Sequence, residues 1–217
     1  MLVKDGGIRG VVILLTSLTG MEVVEEKIEV EAGVMLKAVS DKAMEHSLTG
    51  FEFACGIPGT IGGAVFMNAG AYNGSMSDVV ESIEVISENG EIKTLSKEEL
   101  DFGYRSSAVM KKGYIVLSAT LDLKHGEVKT IREMITDLTE KRESKQPLEY
   151  PSAGSTFKRP EGYFAGKLIQ DAGLKGYEMN GAAVSSKHSG FVINKGGARA
   201  KDIFCLLYTS DAADEAR

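Results

Sequence analysis

Tryptophan is absent from this 217-residue chain, cysteine occurs twice, histidine three times and proline four times. Cys55 and Cys205 are far apart and belong to no metal-ligand cluster, so they read as free thiols in a reducing compartment. His46, His125 and His188 share no ligand spacing, and no Ser/His/Asp elbow or Cys/His pair is spelled out, so no metal site is expected. No apolar run approaches the roughly 18–20 residues that a membrane helix needs. The opening residues lack the basic-then-apolar layout of a secretory signal. Positive charge is also scarce: 25 Lys and Arg face 31 Asp and Glu, for a net charge of −6. That balance argues against nucleic acid as a partner.

Glycine, by contrast, is plentiful, with 25 residues. The densest run is Gly56-Ile57-Pro58-Gly59-Thr60-Ile61-Gly62-Gly63-Ala64, continued by Asn68-Ala69-Gly70-Ala71-Tyr72. Glycine lets a partner approach the backbone closely, and successive N–H groups in such a loop can cradle phosphate oxygens. The spacing fits neither G-x-x-x-x-G-K-[ST] nor G-x-G-x-x-G. A plain glycine-rich turn between strands explains it equally well.

Length and composition fit one large or two small globular domains. Residues 11–15 form a short apolar β run, and residues 27–32 alternate polar and apolar as a half-buried strand does. A helix is expected from Gly33 to about His46. The glycine loop follows. Asn89-Gly90 marks a hairpin turn between alternating segments at 82–87 and 91–95. Ser96 is the expected N-cap of a short helix. Residues 114–124 read as one long strand with Ile115, Leu117, Ala119, Leu121 and Leu123 on one face. Residues 127–144 form a polar helix striped by Val128, Ile131, Ile135 and Leu138. Two of the four prolines, Pro147 and Pro151, mark a linker. A second unit then offers a helix at 164–172 ended by Gly173, a strand at 190–194 and a helix from Ala200. The order of elements is that of an α+β protein with two domains.

Two further clusters carry candidate chemistry: residues 102–107, with Tyr104 and Arg105, and residues 151–160, with Ser155, Lys158 and Arg159. A phosphate-bearing ligand suits the set, through loop N–H groups, a guanidinium fork, hydroxyls and cations. Each has a bland alternative. Arg105 fits a surface ion pair. Ser155 fits a turn hydroxyl bonded to its own backbone. Lys158 and Arg159 fit a solvated pair. His188 is a weaker candidate for touching a ligand.

Read together, the clusters resemble the UDP-N-acetylenolpyruvoylglucosamine reductase family, the UDP-N-acetylmuramate dehydrogenases. The likeness runs from about Leu2 to Phe204. It rests on the glycine segment, on Asn68-Ala69-Gly70-Ala71-Tyr72, on Tyr104-Arg105-Ser106-Ser107, and on Ser152-Ala153-Gly154-Ser155-Thr156-Phe157-Lys158-Arg159-Pro160. Ala165-Gly166, Leu168-Ile169, Ala172-Gly173-Leu174-Lys175-Gly176 and His188-Ser189-Gly190-Phe191 add to it.

The resemblance implies an FAD-binding α+β domain of the vanillyl-alcohol-oxidase (PCMH) type over residues 1–144. A smaller α+β substrate-binding domain would cover 145–204. It implies FAD as cofactor, NADPH as reductant and a UDP-sugar enolpyruvyl ether as the small-molecule substrate. The product would be UDP-N-acetylmuramate for peptidoglycan, made in the cytoplasm, with neither nucleic acid nor membrane as partner. Cofactor contacts would come from Gly56, Ile57, Pro58, Gly59, Thr60, Ile61, Gly62, Gly63 and Ala64, with Asn68 and Gly70. Arg105 matches the family's catalytic arginine and Ser155 its catalytic serine. Tyr104, Arg105, Ser155, Lys158 and Arg159 would bind substrate.

The family's third catalytic residue, a glutamate in a C-terminal Leu-x-Pro-Glu-type segment, has no counterpart here. Nor does its N-terminal Gly-x-Gly-Ser-Asn loop. Residues 205–217 read as a non-native, adapter-derived tail. The chain is therefore expected to be a fragment with impaired FAD binding and turnover. Another FAD oxidoreductase of the same superfamily and a non-catalytic nucleotide-binding module are the alternatives.

Overall fold

A computed structural model describes residues 2–208. The chain divides into two compact units, one made of residues 13–140, the other of residues 141–208 with residues 2–12.

The larger unit opens with strands Met21–Val24 (β1) and Lys27–Glu31 (β2). Helix Leu36–Glu45 (α1), strand Leu48–Thr49 (β3) and helix Ile61–Phe66 (α2) follow. A small hairpin, Gly70–Ala71 (β4) and Gly74–Ser75 (β5), leads into helix Met76–Val79 (α3). Strands Val80–Ile86 (β6) and Ile92–Ser96 (β7) form the Asn89-Gly90 hairpin, with Gly90 at φ +80°. Helix Ala108–Lys112 (α4), strands Ile115–Asp122 (β8) and Lys124–His125 (β9), and helix Val128–Lys145 (α5) complete the order.

β1, β2, β8, β6 and β7, in that order, make a five-stranded antiparallel sheet. The alternation in β2 buries Ile28 and Val30 and exposes Lys27 and Glu29. α2 packs on β8 and β2. Ile28, Leu36, Val39, Phe51, Ile61, Met76, Ile83, Leu100 and Leu121 are all at most 1% exposed and form the core.

In the smaller unit, strands Ser152–Ser155 (β10), Glu178–Met179 (β11), Ala182–Val184 (β12) and Phe191–Asn194 (β13) form an antiparallel sheet in the order β10-β13-β12-β11. The β11–β12 turn is Asn180-Gly181, both left-handed, as a two-residue type I′ hairpin requires. Helices Ala165–Asp171 (α6) and Ala200–Tyr208 (α7) join it, and Ile169, Val184, Val192 and Leu206 share one apolar cluster.

Several expectations are corrected. Residues 11–15 form no strand; Val11, Ile13 and Leu14 are largely exposed and make no ladder. Half of the glycine loop is helix, because α2 begins at Ile61. In β8 the buried face changes. The pairs Glu84↔Ser118 and Val85↔Val116 leave Leu117 as an extra residue, so Val116 turns inward and Ile115 outward. Ser96 ends β7, and the turn after it, Glu98–Leu100, is 3-10 in character with Lys97 at its N-cap. In the α5 stripe Ile131 and Leu138 are buried, but Val128 is exposed. Cys205 to Tyr208, the start of the expected tail, continue α7, which does not bear on their origin. The rest of the expected tail lies outside the described residues.

Candidate functional site

The glycine segment is held along the chain that follows β2. Ile61 N–H donates to Val34 O, Gly62 N–H to Ala32 O, and Leu36 N–H to Gly59 O, at 2.9–3.0 Å. Its glycines fall into two classes. A Cβ on Gly62 would lie 3.0 Å from Ala32 Cβ, and one on Gly70 would lie 2.6 Å from Gly74 O. Those two are required by the fold. A Cβ on Gly59 would meet nothing within 4 Å, and one on Gly63 only Thr60 Oγ1 at 3.8 Å. Neither has a positive φ. Packing and backbone conformation therefore leave Gly59 and Gly63 unexplained, whereas close approach by an external group explains both. The residues present fit a diphosphate laid against this backbone.

Arg105 is joined to the same segment. Gly103 and Ser106 exchange backbone hydrogen bonds of 3.0 and 3.2 Å, making a two-residue turn with Tyr104 and Arg105 at its tip. Arg105 takes φ +52°, a left-handed conformation that normally favours glycine. Its Nη1 donates to Asn68 O at 3.3 Å and its Nη2 to Gly70 O at 2.9 Å. The guanidinium carbon lies 5.2 Å from the Tyr104 ring centroid, and Tyr104 itself is exposed. Two of five N–H donors are thus accounted for, and the fork keeps capacity for an anion. Asn68, expected at the cofactor, is 7% exposed, and its side chain bonds inside the protein, to Ser77 N–H and Gly103 O.

Ser155 belongs to the smaller unit. The register Ser152↔Ile193, Ser155↔Phe191 places one extra residue in β10, and Gly154 sits there at φ +88°. This bulge re-aims the strand end that carries Ser155. Beside it lies the turn 188–190. A Cβ on Gly190 would be 3.5 Å from Ser155 Oγ and 3.2 Å from His188 Nδ1. Gly190 N–H donates to His188 Nδ1 at 3.1 Å, so the neutral ring carries its proton on Nε2. His188 is half-buried, its edge against Phe191. Its signal in the sequence is weak, because Ser155 and His188 come to either side of Gly190 only through β10–β13 pairing that no local pattern announces. Lys158 is exposed; Arg159 stacks 3.9 Å from the Phe164 centroid and donates from Nε to Tyr163 O.

A family model described as UDP-N-acetylenolpyruvoylglucosamine reductase, C-terminal domain, matches residues 146–212, and one described as FAD binding domain matches residues 1–96. The reductase of that name from Clostridium perfringens strain SM101 is 66% identical over 206 residues, covering 95% of this chain and 68% of the relative. The chain belongs to the UDP-N-acetylenolpyruvoylglucosamine reductase family. The Clostridium beijerinckii reductase is 61% identical over 207 residues, with the same coverage of each chain. The solved structure of the reductase from Thermus caldophilus aligns with a TM-score of 0.78 at 37% identity, over 86% of this chain and 69% of that one.

The fold is accordingly the α+β arrangement of this reductase family, an FAD-binding domain followed by the family's C-terminal domain. Among the described residues no group of three His, Cys, Asp or Glu side chains could hold a metal ion, and no helix is long and apolar enough to cross a membrane. A surface cleft of about 530 Å³ runs beside Asp78, Glu81, Glu98 and Asp122. Lys97 also lines it and Glu81 is paired with Lys27, so its charge is mixed with an acidic excess, which disfavours a diphosphate.

Proposed function

We propose that this chain serves the reaction of its family, reducing UDP-N-acetylglucosamine enolpyruvate to UDP-N-acetylmuramate for peptidoglycan with FAD as bound cofactor and NADPH as reductant, and that its own FAD binding and turnover are impaired. The observation that carries the reading is the joining of Arg105 to a glycine segment in which neither packing nor backbone conformation requires Gly59 and Gly63. Residues 1–144 serve as the FAD-binding domain and 145–204 as the substrate-binding domain. The backbone of residues 56–64 holds the cofactor diphosphate.

FAD, when bound and once reduced by hydride from NADPH, would pass that hydride to the enolpyruvyl β-carbon. The substrate is left with negative charge spread onto its carboxylate as an enolate, and that charge needs a positive partner already in place. Arg105 provides it: two N–H groups are spent on fixed carbonyls, which orients the fork and leaves others for the carboxylate. Ser155 then gives a proton to the α-carbon as general acid. A serine hydroxyl is a weak acid and must be activated by neighbours; Lys158, close to it in the chain, is the candidate. Lys158 and Arg159 meet the substrate's diphosphate, and Tyr104 flanks its carboxylate. The reaction belongs in the cytoplasm, where NADPH and nucleotide sugars are available, and needs neither nucleic acid nor a membrane.

The test is direct. The chain extended to the full length of its relatives and mixed with FAD should turn yellow, and the loaded protein should oxidise NADPH in proportion to added enolpyruvyl substrate, both more strongly than this chain alone. Bound flavin that reduces no enolpyruvyl substrate but is reduced by an alcohol or sugar would favour another oxidoreductase of the superfamily. Failure to take up FAD with retained nucleotide binding would leave a non-catalytic module.

A further inference from the structure

α2 ends in a recognisable way. Asn68 N–H donates to Val65 O and Ala69 N–H to Ala64 O, while Asn68 itself takes φ +41°. These are the two bonds and the left-handed residue of a Schellman motif, where glycine is the usual occupant and asparagine the tolerated one. The helix stop alone would be served at least as well by glycine. An asparagine here brings an amide that glycine lacks.

That amide is nearly buried, and both ends are used. Its Oδ1 accepts from Ser77 N–H at 3.0 Å, and its Nδ2 donates to Gly103 O at 3.0 Å. The Gly103 carbonyl is also the acceptor that closes the turn bearing Arg105. The main-chain carbonyl of Asn68 accepts from Arg105 Nη1. One residue therefore grips the turn twice, by its base through the side chain and by the guanidinium at its tip through the backbone. A left-handed arginine persists only where its surroundings over-determine it. Ser107, fully buried, adds a third hold by donating to Phe66 O at 2.8 Å.

We infer that Asn68 is a positioning residue for Arg105, fixing the guanidinium for the substrate, and is not a ligand of the cofactor. The inference rests on the reading that Arg105 acts on the substrate. It separates two functions within one glycine-rich segment: residues 56–64 face the cofactor, while Asn68 faces away from it into the turn.

Asn68→Gly is the informative substitution, because it keeps the helix stop and deletes both amide bonds; Asn68→Asp keeps the Ser77 acceptor and loses only the donor to Gly103. In the FAD-loaded enzyme, both variants should hold FAD and accept electrons from NADPH at wild-type rates. Reoxidation of the reduced enzyme by the enolpyruvyl substrate should slow about 10- to 100-fold. In an Arg105→Lys background, Asn68→Gly should add no more than about twofold, because the group it positions is gone. Without cofactor, nitrogen-15 spectra of the Arg105 guanidinium should change from restricted to free rotation in Asn68→Gly. Weaker FAD binding with unimpaired reoxidation, multiplicative losses in the double variant, or an unchanged guanidinium spectrum would each overturn the inference. Full activity in Arg105→Lys would overturn both it and the reading beneath it. A crippled Arg105→Lys beside a normal Asn68→Gly would overturn the inference alone.

Discussion

Gly59 and Gly33 look alike in the sequence and differ completely in what surrounds them. A Cβ on Gly33 would lie 2.2 Å from Leu15 O and 2.6 Å from Leu18 O, both backbone atoms that cannot step aside cheaply. Gly33→Ala should therefore destabilise the protein by about 1–3 kcal/mol, read as a lower denaturant midpoint. Gly59 has open space and no unusual φ. Gly59→Ala should leave the midpoint of the cofactor-free protein unchanged or raise it by about 0.4–1 kcal/mol through the unfolded chain. Its effect should surface in FAD affinity, measured by flavin fluorescence quenching. A Gly59→Ala protein that is less stable but binds FAD normally would remove the reason for placing the diphosphate there. The same comparison shows why residue types alone left the segment ambiguous. The letter G records freedom to approach, but not whether the approaching group is Gly74 O, the protein's own backbone, or something from outside.

Elements divide along a similar line. The Asn89-Gly90 hairpin, α1, β13 and the Gly173 stop of α6 were legible because local chemistry decides them: a φ > 0 residue in the turn and after the helix, an apolar stripe at helical spacing, a short apolar run. β1 was not, because its turn to β2 uses Glu25 at φ +55° with no glycine to announce it. α2 was not, because two glycines and a β-branched pair give it poor intrinsic propensity; packing on β2 and β8 makes it a helix. The bulge in β8 is a property of pairing with β6, invisible in β8 itself. α7 shows how distant residues finish an element. Asp5 Oδ1 accepts from Ala200 N–H, and Asp202 accepts from Arg199 N–H and from Asn180 Nδ2. The bonds from Arg199 N–H and Asn180 favour the charged carboxylate and hold the Asp202 pKa below the ordinary aspartate range. A depressed folded value contributes stability that is complete above about pH 4 and lost as pH falls through the lowered value. Protection of the α7 amides, taken relative to unstructured exchange at the same pH, should accordingly fall on acidification below about pH 4. In Asp202→Asn it should be lower at neutral pH and lose that acid dependence; an unaltered acid profile would show that another group governs the helix.

For the whole molecule, the division of labour falls along the division of the chain. Arg105 lies in the unit of residues 13–140 and Ser155 in the unit of residues 141–208. The sequence supplied both names through resemblance, but their settings come from the fold: a strained turn tied to the end of α2 for one, a glycine bulge beside His188 for the other. If both act on the same chemical step, their kinetic signatures must coincide even though they belong to different units. Arg105→Lys should slow substrate-dependent reoxidation about 10²- to 10³-fold, the usual cost of losing a charge-stabilising donor. Ser155→Ala should slow it about 10²- to 10⁴-fold, the usual contribution of a general acid. Reduction by NADPH should stay near the wild-type rate in both, as followed by stopped-flow flavin absorbance. The double variant should fall well short of the product of the two losses, because residues acting on one transition state are not additive. Deuterium incorporation in heavy water adds a readout that distinguishes the pair. Ser155→Ala should scramble the face on which the α-carbon is protonated, whereas Arg105→Lys should slow the step and keep the face. Normal stereochemistry in Ser155→Ala would mean that the proton comes from elsewhere, and the serine's assignment would fall while that of the arginine stood.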